Sequence, residues 1–577
     1  MRSSHERIQN PQTSTWTVRT LLKFTTLLAA CVAFALGVVL HIKDSSYGLR
    51  HYKWSLKSSN WDHRRERVKD AFTLMHGLTK ESPKSSSRTP SGQDQFHPIS
   101  KTGSQMSPKG LGWIIVDSLD TMMIMNLTSQ LGDARRWIHR KLTYDQVQEV
   151  NTFETTIRML GGLLSAHYLA GQLPGVASGR DFVYLSKAVD LADRLLGAYQ
   201  SPSGIPYASI NLGTKQGIIS HADAGASSMA EAATLQLEMK YLAYLTGNEV
   251  YWRKAEKVMQ VLDENAMQDG LLPIFVDPNT GHFTTKEIRL GSRGDSYYEY
   301  LIKQYLQTSE PIYLEMWSEA LAGIRKNMIT ATKNSNLRFV AELPHGIGGG
   351  LSPKMDHLVC FLPGTIALGL TGGLTVAEVK KAHGWSDENQ NQMDLAKELM
   401  KTCWGMYKVT STGLAPEITW FNVDAGHPLP FPGNRPFPLS GDSIDGWKQD
   451  YIVKPQDAHN LQRPETIESL LMMWRITEDP IYREWGWEIF EAFEKYTVAP
   501  HGEGYVSLDD VNSIPPKARD NMESFWLSET LKYLYLLFSP SDLLPLTEVV
   551  FNTEAHAFPR INPTKFSTGW QRKPRRA

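Results

Sequence analysis

The 577-residue sequence is short of cysteine, of net charge and of long apolar runs. It has three cysteines, and 60 basic residues balance 61 acidic ones to a net charge of −1. This balance gives no indication of a nucleic-acid partner, because such proteins present a basic excess to the phosphates. Only the end of the chain, "RKPRRA", is locally basic, and 563–577 is predicted to be a solvated basic tail. With 41% hydrophobic residues the chain can nevertheless bury a large core.

One apolar run is long enough to cross a membrane. Residues 24–42, "FTTLLAACVAFALGVVLHI", are 19 residues long, which as a helix just crosses about 30 Å of hydrocarbon. Four basic residues against one acidic residue in 1–23 favour a cytosolic tail, hence a type II signal anchor with the rest of the chain in the lumen. A cleaved signal peptide is the alternative, since "AFA" at 33–35 resembles a cleavage site. Residues 43–60 are then a short lumenal stem.

A lumenal location makes the cysteines informative. Cys31 lies inside the predicted anchor, so Cys360 and Cys403 remain for an oxidising compartment, where they can form one disulfide closing a loop of about 40 residues. Two free buried thiols are the alternative. The sequon "NLT" at Asn126–Thr128 is compatible with a secretory route but occurs often by chance.

Helical periodicity runs through most of residues 61–562. The stretch "FETTIRMLGGLLSAHYLAG" places Phe153, Ile157, Leu160 and Leu164 on one helix face. Sustained strand alternation is scarce, so the sequence predicts an all-α class with a few short β-hairpins. The Ser- and Pro-rich stretch 80–93, "KESPKSSSRTPSGQ", is predicted to be a flexible insertion after the first helix.

A repeated phrase indicates helix hairpins. "TGNEVYW" at Thr246–Trp252, "TSEPIYL" at Thr308–Leu314 and "TEDPIYR" at Thr477–Arg483 each end one helix and start the next, and "GRDFVYL" at Gly179–Leu185 is a looser copy. Their spacing is consistent with a unit of about 60 residues, which gives roughly seven or eight helix pairs. Such pairs stack open as a solenoid or close as a ring, and the phrase is also common helix-start chemistry.

Carboxylates fall near the starts of several predicted helices. Glu154, Asp295, Glu465, Glu468 and Glu529 all occupy such positions, where the helix dipole stabilises negative charge. Individually each is more often a capping group than a catalyst. If the ring closes, they form an acidic, aromatic-lined cavity of the kind that binds sugars, together with Arg158, Arg293, His357, Phe361, Trp420 and Phe525.

Six ordered motifs are those of a known family. "FETTIRMLGG", "GSRGDSYYEYL", "HLVCFLPG", "RPETIES", "ETLKYLYLLF" and "FNTEAH" resemble, in the same order, the motifs of the class I α-1,2-mannosidases, glycoside hydrolase family 47. The resemblance runs from about residue 61 to 560 and implies an (α/α)7 barrel. It is weaker at the front, where "DQFHP" at Asp94–Pro98 stands in place of the usual Asp-Glu-Leu before a proline.

The resemblance also implies roles for the site residues. Glu154 is expected to be the proton donor, directly or through a water, and Glu465 the base, with Asp295 as the third essential carboxylate; whether Asp295 or Glu465 deprotonates the water stays open. The expected sugar-binding residues are Arg158, Arg293, His357, Arg463, Glu468, Phe525 and Glu529.

A calcium ion is implied at "FNTEAH". In the family the threonine of this motif binds Ca²⁺ through its carbonyl and hydroxyl oxygens, and Thr553 matches it. Calcium takes six to eight oxygen ligands. Waters held by carboxylates, Glu529 and Glu554 among them, are expected to complete its coordination shell. Cys360 and Cys403 match the disulfide pair of the family. A polar cap that plugs the barrel end is the alternative reading of the motif.

The expected function is therefore inverting, Ca²⁺-dependent removal of terminal α-1,2-linked mannose from N-linked oligomannose glycans. Arg293 resembles the arginine of endoplasmic-reticulum members, which implies conversion of Man9GlcNAc2 to the Man8 B isomer in that compartment. With the predicted anchor, the chain is expected to be a type II endoplasmic-reticulum membrane protein, with the Golgi as the other location. The alternatives are a Golgi-type enzyme that trims to Man5 and a degradation-enhancing, mannosidase-like glycan-binding protein. A non-enzymatic lectin on a helical ring is disfavoured by the three carboxylates and Thr553.

Overall fold

The computed structural model describes residues 61–74, 92–265, 268–423, 446–500 and 504–572. The predicted cytosolic tail, anchor and stem (1–60) and residues 80–91 of the predicted insertion lie outside this part of the chain. The chain divides after Arg64 into two compact units, and the helices and strands that follow belong to the unit Arg65–Ala577. The first described helix, Trp61–Thr73, spans this division.

The described chain is mainly helical, as the sequence predicted. Helices of an inner layer alternate along the chain with helices of an outer layer, and neighbouring inner helices contact one another. The inner segments are Trp113–Asp117 with Leu119–Ile124, Thr152–Glu154 with the π-turn Thr155–Leu160 and Gly161–Gln172, Met229–Ala233 with Gln236–Thr246, Asp295–Thr308, the 3₁₀ turn His357–Phe361 with Leu362–Thr371, Glu465–Thr477, and the π-turn Trp526–Thr530 with Leu531–Phe538. The outer helices that pack on them are Thr128–Arg140, Phe182–Leu195, Glu249–Glu264, Pro311–Asn327, Asp387–Lys408 and Ile481–Tyr496.

The inner segments close into a ring. Each contacts the next along the chain, and the last contacts the first, where the hydroxyl of Thr121 donates to the carbonyl of Leu527 at 3.0 Å. An inner helix is enclosed by its two neighbours and its outer partner, so it is buried on most sides, whereas an outer helix buries one stripe. The ring alternative is therefore confirmed against the open solenoid.

The repeated phrase does mark the hairpin turns. Inner helices end at Thr246, Thr308 and Thr477, and the following outer helices begin at Glu249, Pro311 and Ile481. The residue after each inner helix takes a left-handed conformation, with φ of 71° at Gly247, 59° at Ser309 and 59° at Glu478. This conformation terminates a helix because it directs the chain away from the helix axis while the last carbonyls are still paired.

Short antiparallel strands connect the helices at the other end of the ring. The pairs are Gln95–His97 with Thr102–Ser104, Glu149–Asn151 with Ser209–Asn211 and Gln216–Ile218, Ser227–Ser228 with Phe275–Val276, Ile329–Ala331 with Arg338–Val340, Lys354–Asp356 with Ile418–Phe421 and Tyr451–Ile452, Ser507–Leu508 with Ala518–Arg519, and Val549–Phe551 with Ala557–Pro559. The last pair is a hairpin in which Phe551 lies opposite Ala557. Its tip carries "NTEA", and its strands pack against inner helices.

The disulfide predicted from compartment and resemblance is present. Cys360 and Cys403 are bonded, with their Cα atoms 5.8 Å apart, and both are buried. The bond ties the turn that begins an inner helix, His357–Phe361, to the outer helix Asp387–Lys408.

Packed structure begins and ends beyond the boundaries expected from composition. Gly92, inside the predicted insertion, is buried against Trp137, where a Cβ would lie 2.2 Å from the indole nitrogen. In the predicted tail, Phe566 stacks on Trp252 with ring centroids 5.2 Å apart, and the indole of Trp570 donates to Glu256 at 2.8 Å. Residues of 563–572 thus contact the outer helix Glu249–Glu264, and they are half-buried or exposed.

Among the described residues, His357–His383 has the length and hydropathy of a membrane-spanning helix. In this fold 61% of its apolar window is buried within the protein, as expected for a core helix.

Candidate active site

A cavity of about 330 Å³ opens where the inner helices begin. Its lining comes from the first residues of several inner helices, which lie near one another because the helices are arranged in a ring with the same orientation. Helix starts expose free N–H groups and positive dipole ends, an environment suited to carboxylates and hydroxyls. Most of the predicted site residues line this cavity: Glu154, Arg158, Arg293, Asp295, Arg463, Glu465, Phe525, Glu529 and Thr553.

Four other predicted residues do not line the cavity. His357 and Glu468 are buried and contact lining residues or their supports from below. The prediction that Phe361 and Trp420 line the cavity is wrong: Phe361 is 2% exposed in the core, and the indole of Trp420 donates to Asp457 at 3.0 Å.

Glu154 and Arg158 form one wall. The side chain of Asn151 accepts the Glu154 N–H at 2.9 Å and so caps the helix that carries both residues. Arg158 Nε donates to Glu154 at 2.8 Å, and its Nη1 donates to Ser524 Oγ at 3.2 Å and pairs with Glu554. The side chain of Glu154 is 37% exposed and lines the cavity, while Arg158 holds its direction.

Glu465 is held from two sides. His357 Nδ1 lies 2.8 Å from Glu465 Oε2, and His357 Nε2 lies 2.8 Å from the hydroxyl of Tyr407. Burial would raise the pKa of Glu465, but the His357 hydrogen bond and the charges of His357 and Arg463 outweigh it and hold that pKa below its ordinary value. Arg463 itself is paired with Glu417 at 2.6 Å. Glu465 is thus a half-buried carboxylate whose surroundings favour its ionised form.

Asp295 has the opposite environment. It is the first residue of its helix, and its Oδ1 accepts the Ser296 N–H at 2.8 Å. Burial raises the pKa of Asp295 to about 8, and the nearby negative charges of Glu299, Glu465 and Asp356 add to the effect. The pKa values of the two candidate bases are therefore shifted in opposite directions, because His357 and Arg463 favour the ionised form of Glu465, whereas burial and neighbouring carboxylates disfavour that of Asp295.

The motif "FNTEAH" forms the floor of the cavity at the tip of the last hairpin. Asn552 Oδ1 accepts the N–H groups of Glu554 at 2.9 Å and His556 at 2.8 Å, which shapes the turn. The ring of His556 lies between Asp120 at 2.9 Å and Asp117 at 3.2 Å. These polar residues anchor the hairpin inside the ring, and Thr553 between them is presented to the cavity.

Thr553 is surrounded by acid. Its hydroxyl donates to Glu299 at 2.7 Å, and Lys303 pairs with Glu299 and with Glu468 at 3.0 Å. Burial raises the pKa of Glu468 to about 7, that of Glu554 to about 8, and that of Glu529 well above its ordinary range, with neighbouring carboxylates contributing in each case. The cations Lys303 and Arg158 therefore do not balance the buried acids.

This donor set suits a hard cation that is held partly through water. Calcium prefers carboxylate, hydroxyl and carbonyl oxygens, and the acid excess around Thr553 is what a divalent cation would relieve. In the described part of the chain no three His, Cys, Asp or Glu side chains are grouped to ligate a metal directly. The residues thus fit an ion bound at Thr553 oxygens, with Glu529 and Glu554 in the same cavity lining.

Several supporting residues were missed from sequence. Glu299 and Lys303 follow Asp295 at four-residue steps in "DSYYEYLIK", and such a charged stripe on a buried helix is a signal that would have found them. Asp117 and Asp223 carry no comparable signal, because neither belongs to a periodic pattern or to the motifs.

The match to a protein family decides among the chemistries that this cavity allows. The model of glycosyl hydrolase family 47 matches residues 84–560. The chain belongs to this family. Its curated relatives include the mannosyl-oligosaccharide 1,2-alpha-mannosidase of Candida albicans, 53% identical over 493 residues that make up 84% of this chain and 82% of that protein. The endoplasmic reticulum mannosyl-oligosaccharide 1,2-alpha-mannosidase of Saccharomyces cerevisiae is 44% identical over 572 residues, 93% of this chain and 99% of that protein.

A solved structure agrees with the family 47 assignment. The fold matches that of the alpha-1,2-mannosidase from Trichoderma reesei with a TM-score of 0.73 and 28% sequence identity, over 87% of this chain and 99% of that chain. The family resemblance seen in the six motifs is thereby confirmed.

Proposed function

We propose that this chain is an α-1,2-mannosidase that removes terminal mannose from N-linked oligomannose glycans, on an (α/α)7 barrel. The observation that carries the proposal is the cavity in which Glu154, Asp295 and Glu465 meet over Thr553, in a chain of family 47 whose relatives are mannosyl-oligosaccharide 1,2-alpha-mannosidases. Carboxylates bind sugar hydroxyls, and Phe525 offers a ring for the apolar face of a sugar.

Hydrolysis with inversion needs an acid on the leaving oxygen and a base for water on the opposite side of the sugar. Glu465 is proposed as the base, because His357 and Arg463 favour its ionised form, whereas burial keeps Asp295 protonated at neutral pH. Asp295 is then able to donate a hydrogen bond to substrate or to the attacking water.

Glu154 is proposed to deliver the proton on the other wall. The ion pair with Arg158 fixes the direction of Glu154 toward the cavity, from which its proton can reach the leaving oxygen directly or through a water. Arg158 holds the direction of Glu154 and connects it to the floor through Glu554.

Family 47 is generally calcium-dependent, and we propose that Ca²⁺ binds at Thr553. The ion would supply Lewis-acid orientation of sugar hydroxyls when bound. The chain contributes the hairpin that presents Thr553, and the buried acids Glu529 and Glu554 of the same lining would hold waters of the ion.

Specificity and location are proposed from the same resemblance. Arg293 lies on the cavity lining, where its guanidinium can reach sugars beyond the cleaved one, so we propose that Man9GlcNAc2 is trimmed mainly to the Man8 B isomer. Residues 24–42 are proposed to anchor the chain as a type II protein of the endoplasmic reticulum membrane.

Incubation of the full chain with Man9GlcNAc2, with and without EDTA, followed by isomer analysis tests these points together. One predominant Man8 isomer, lost on chelation, is expected. Trimming to Man5 would support a Golgi-type specificity and contradict the role of Arg293. Glycan binding without release of mannose would contradict the enzymatic proposal and favour a glycan-binding role. Glu149→Gln is a matched control, since Glu149 is a half-buried carboxylate outside the cavity lining that pairs with His221.

A further inference from the structure

Arg293 is held in an unusual backbone conformation. Its φ is 76°, in the left-handed region that residues other than glycine rarely adopt. Its carbonyl accepts the N–H of Ala230 at 2.9 Å. Non-glycine residues keep such a conformation only where the surrounding structure imposes it, and such sites cluster where a side chain must be aimed. The direction in which Arg293 leaves the main chain is therefore set by its neighbours.

The guanidinium of Arg293 is held at two further points. Arg293 Nη1 pairs with Asp223 Oδ1 at 2.6 Å, and its Cζ lies 4.9 Å from the centroid of the Phe275 ring. The side chain of Arg293 is 39% exposed and that of Asp223 is 19% exposed, so the pair reaches the mouth of the cavity, which both residues line. A guanidinium has five N–H donors, so the contact with Asp223 leaves others for a ligand.

Asp223 is itself rigidly placed. Its Oδ2 accepts the hydroxyl of Ser220 at 3.1 Å, and its carbonyl accepts the N–H of Ala226 at 3.0 Å. One carboxylate oxygen thus faces Arg293 while the other is held by its own turn. The cavity lining also contains Asp295 and Glu231, which would compete for Arg293 if Asp223 were absent.

We propose that Asp223 is a positioning residue that fixes the direction of Arg293, and through Arg293 selects which branch of the glycan places its terminal mannose in the cavity. This inference rests on the proposed function. Asp223 need not touch the cleaved sugar. It keeps Arg293 turned toward the branches that remain outside, and away from the catalytic carboxylates.

The test is a double-mutant cycle on product selectivity. Wild type, Asp223→Ala, Arg293→Leu and the double variant, all as full-length chain, are given Man9GlcNAc2, and the principal Man8 isomer is divided by the sum of the others at equal conversion. Asp223→Ala is expected to lower this ratio about tenfold, which corresponds to about 1.4 kcal/mol. The double variant should equal Arg293→Leu alone, because Asp223 acts only through Arg293. Asp223→Glu should restore part of the ratio.

A merely structural role would change the melting temperature and the total rate without changing the isomer ratio. Glu149→Gln should keep the wild-type ratio, because the Glu149 carboxylate on the neighbouring strand pairs with His221 and not with Arg293. A wild-type ratio in Asp223→Ala, or multiplicative effects in the double variant, would overturn the inference and leave the proposed function standing. Absence of hydrolysis by wild type would overturn the proposed function, and the inference with it.

Discussion

Removal of the Cys360–Cys403 bond is predicted to destabilise the protein by a calculable amount. The bond closes a loop with a sequence separation of 43 residues. In the chain-entropy description, a loop of that length restricts the unfolded chain by about 4 kcal/mol at 25 °C. Both cysteines are buried, and alanine at both positions leaves the helix contacts in place, so the free energy of unfolding should fall by about that amount.

Urea unfolding of Cys360→Ala/Cys403→Ala against wild type, followed by tryptophan fluorescence, measures this loss. The control is the Cys31→Ala variant, which should match wild type in stability. In this variant no thiol should react with a thiol reagent before reduction, and two should react after it. The double variant should also lose activity, because His357, which supports Glu465, lies in the same turn as Cys360. A stability loss below about 1 kcal/mol, with the bond shown to form, would refute the loop-entropy reasoning.

Four further predictions follow from the site and the fold. Glu154→Gln should keep its melting temperature and lose on the order of 10²–10⁴-fold in rate, and near-normal turnover would remove Glu154 from the mechanism. EDTA should abolish activity and lower the melting temperature, with Ca²⁺ at 100 times its Kd restoring about 2.7 kcal/mol, whereas activity that survives exhaustive chelation would exclude a calcium role. His357→Gln should move the acidic limb of the pH–rate profile to higher pH, because His357 lowers the pKa of Glu465 and the base must be ionised; an unchanged limb would argue against Glu465 as base. Phe566→Ala should cost about 1–2 kcal/mol in urea unfolding through the lost stacking on Trp252, and no change would show that this contact does not contribute.

The hairpin architecture was predictable because its signals are local. Each signal depends on residues within a few positions of one another. The signals are the helical periodicity, the turn phrases at Thr246, Thr308 and Thr477, and the position of Glu154 in the first turn of its helix. The position of a carboxylate in the first turn of a helix can be read from the local sequence, because it does not depend on which other helices pack against it. The motifs then identified the family, and with it the cavity residues.

Contacts between distant parts of the chain were not predictable in this way. Phe361 and Trp420 have aromatic side chains suited to a sugar site, but they do not line the cavity. The direction of such a side chain depends on how its helix or strand is oriented in the fold. Asp223 pairs with Arg293, which lies 70 positions later in the chain, so this contact exists only in the folded protein. The C-terminal residues look like a polar tail until Phe566 meets Trp252 across the chain.

The sequence by itself therefore determined the helix hairpins, the family and the identity of most cavity residues, because periodicity, capping and motifs are encoded in neighbouring positions. Only the tertiary structure decided how the carboxylates differ. Glu465 gains the hydrogen bond of His357 and the positive charge of Arg463, while Asp295 is half-buried among other acids, and these opposite environments move their pKa values apart. The environment of a buried carboxyl is set by closure of the ring, which brings together side chains from helices far apart in the chain.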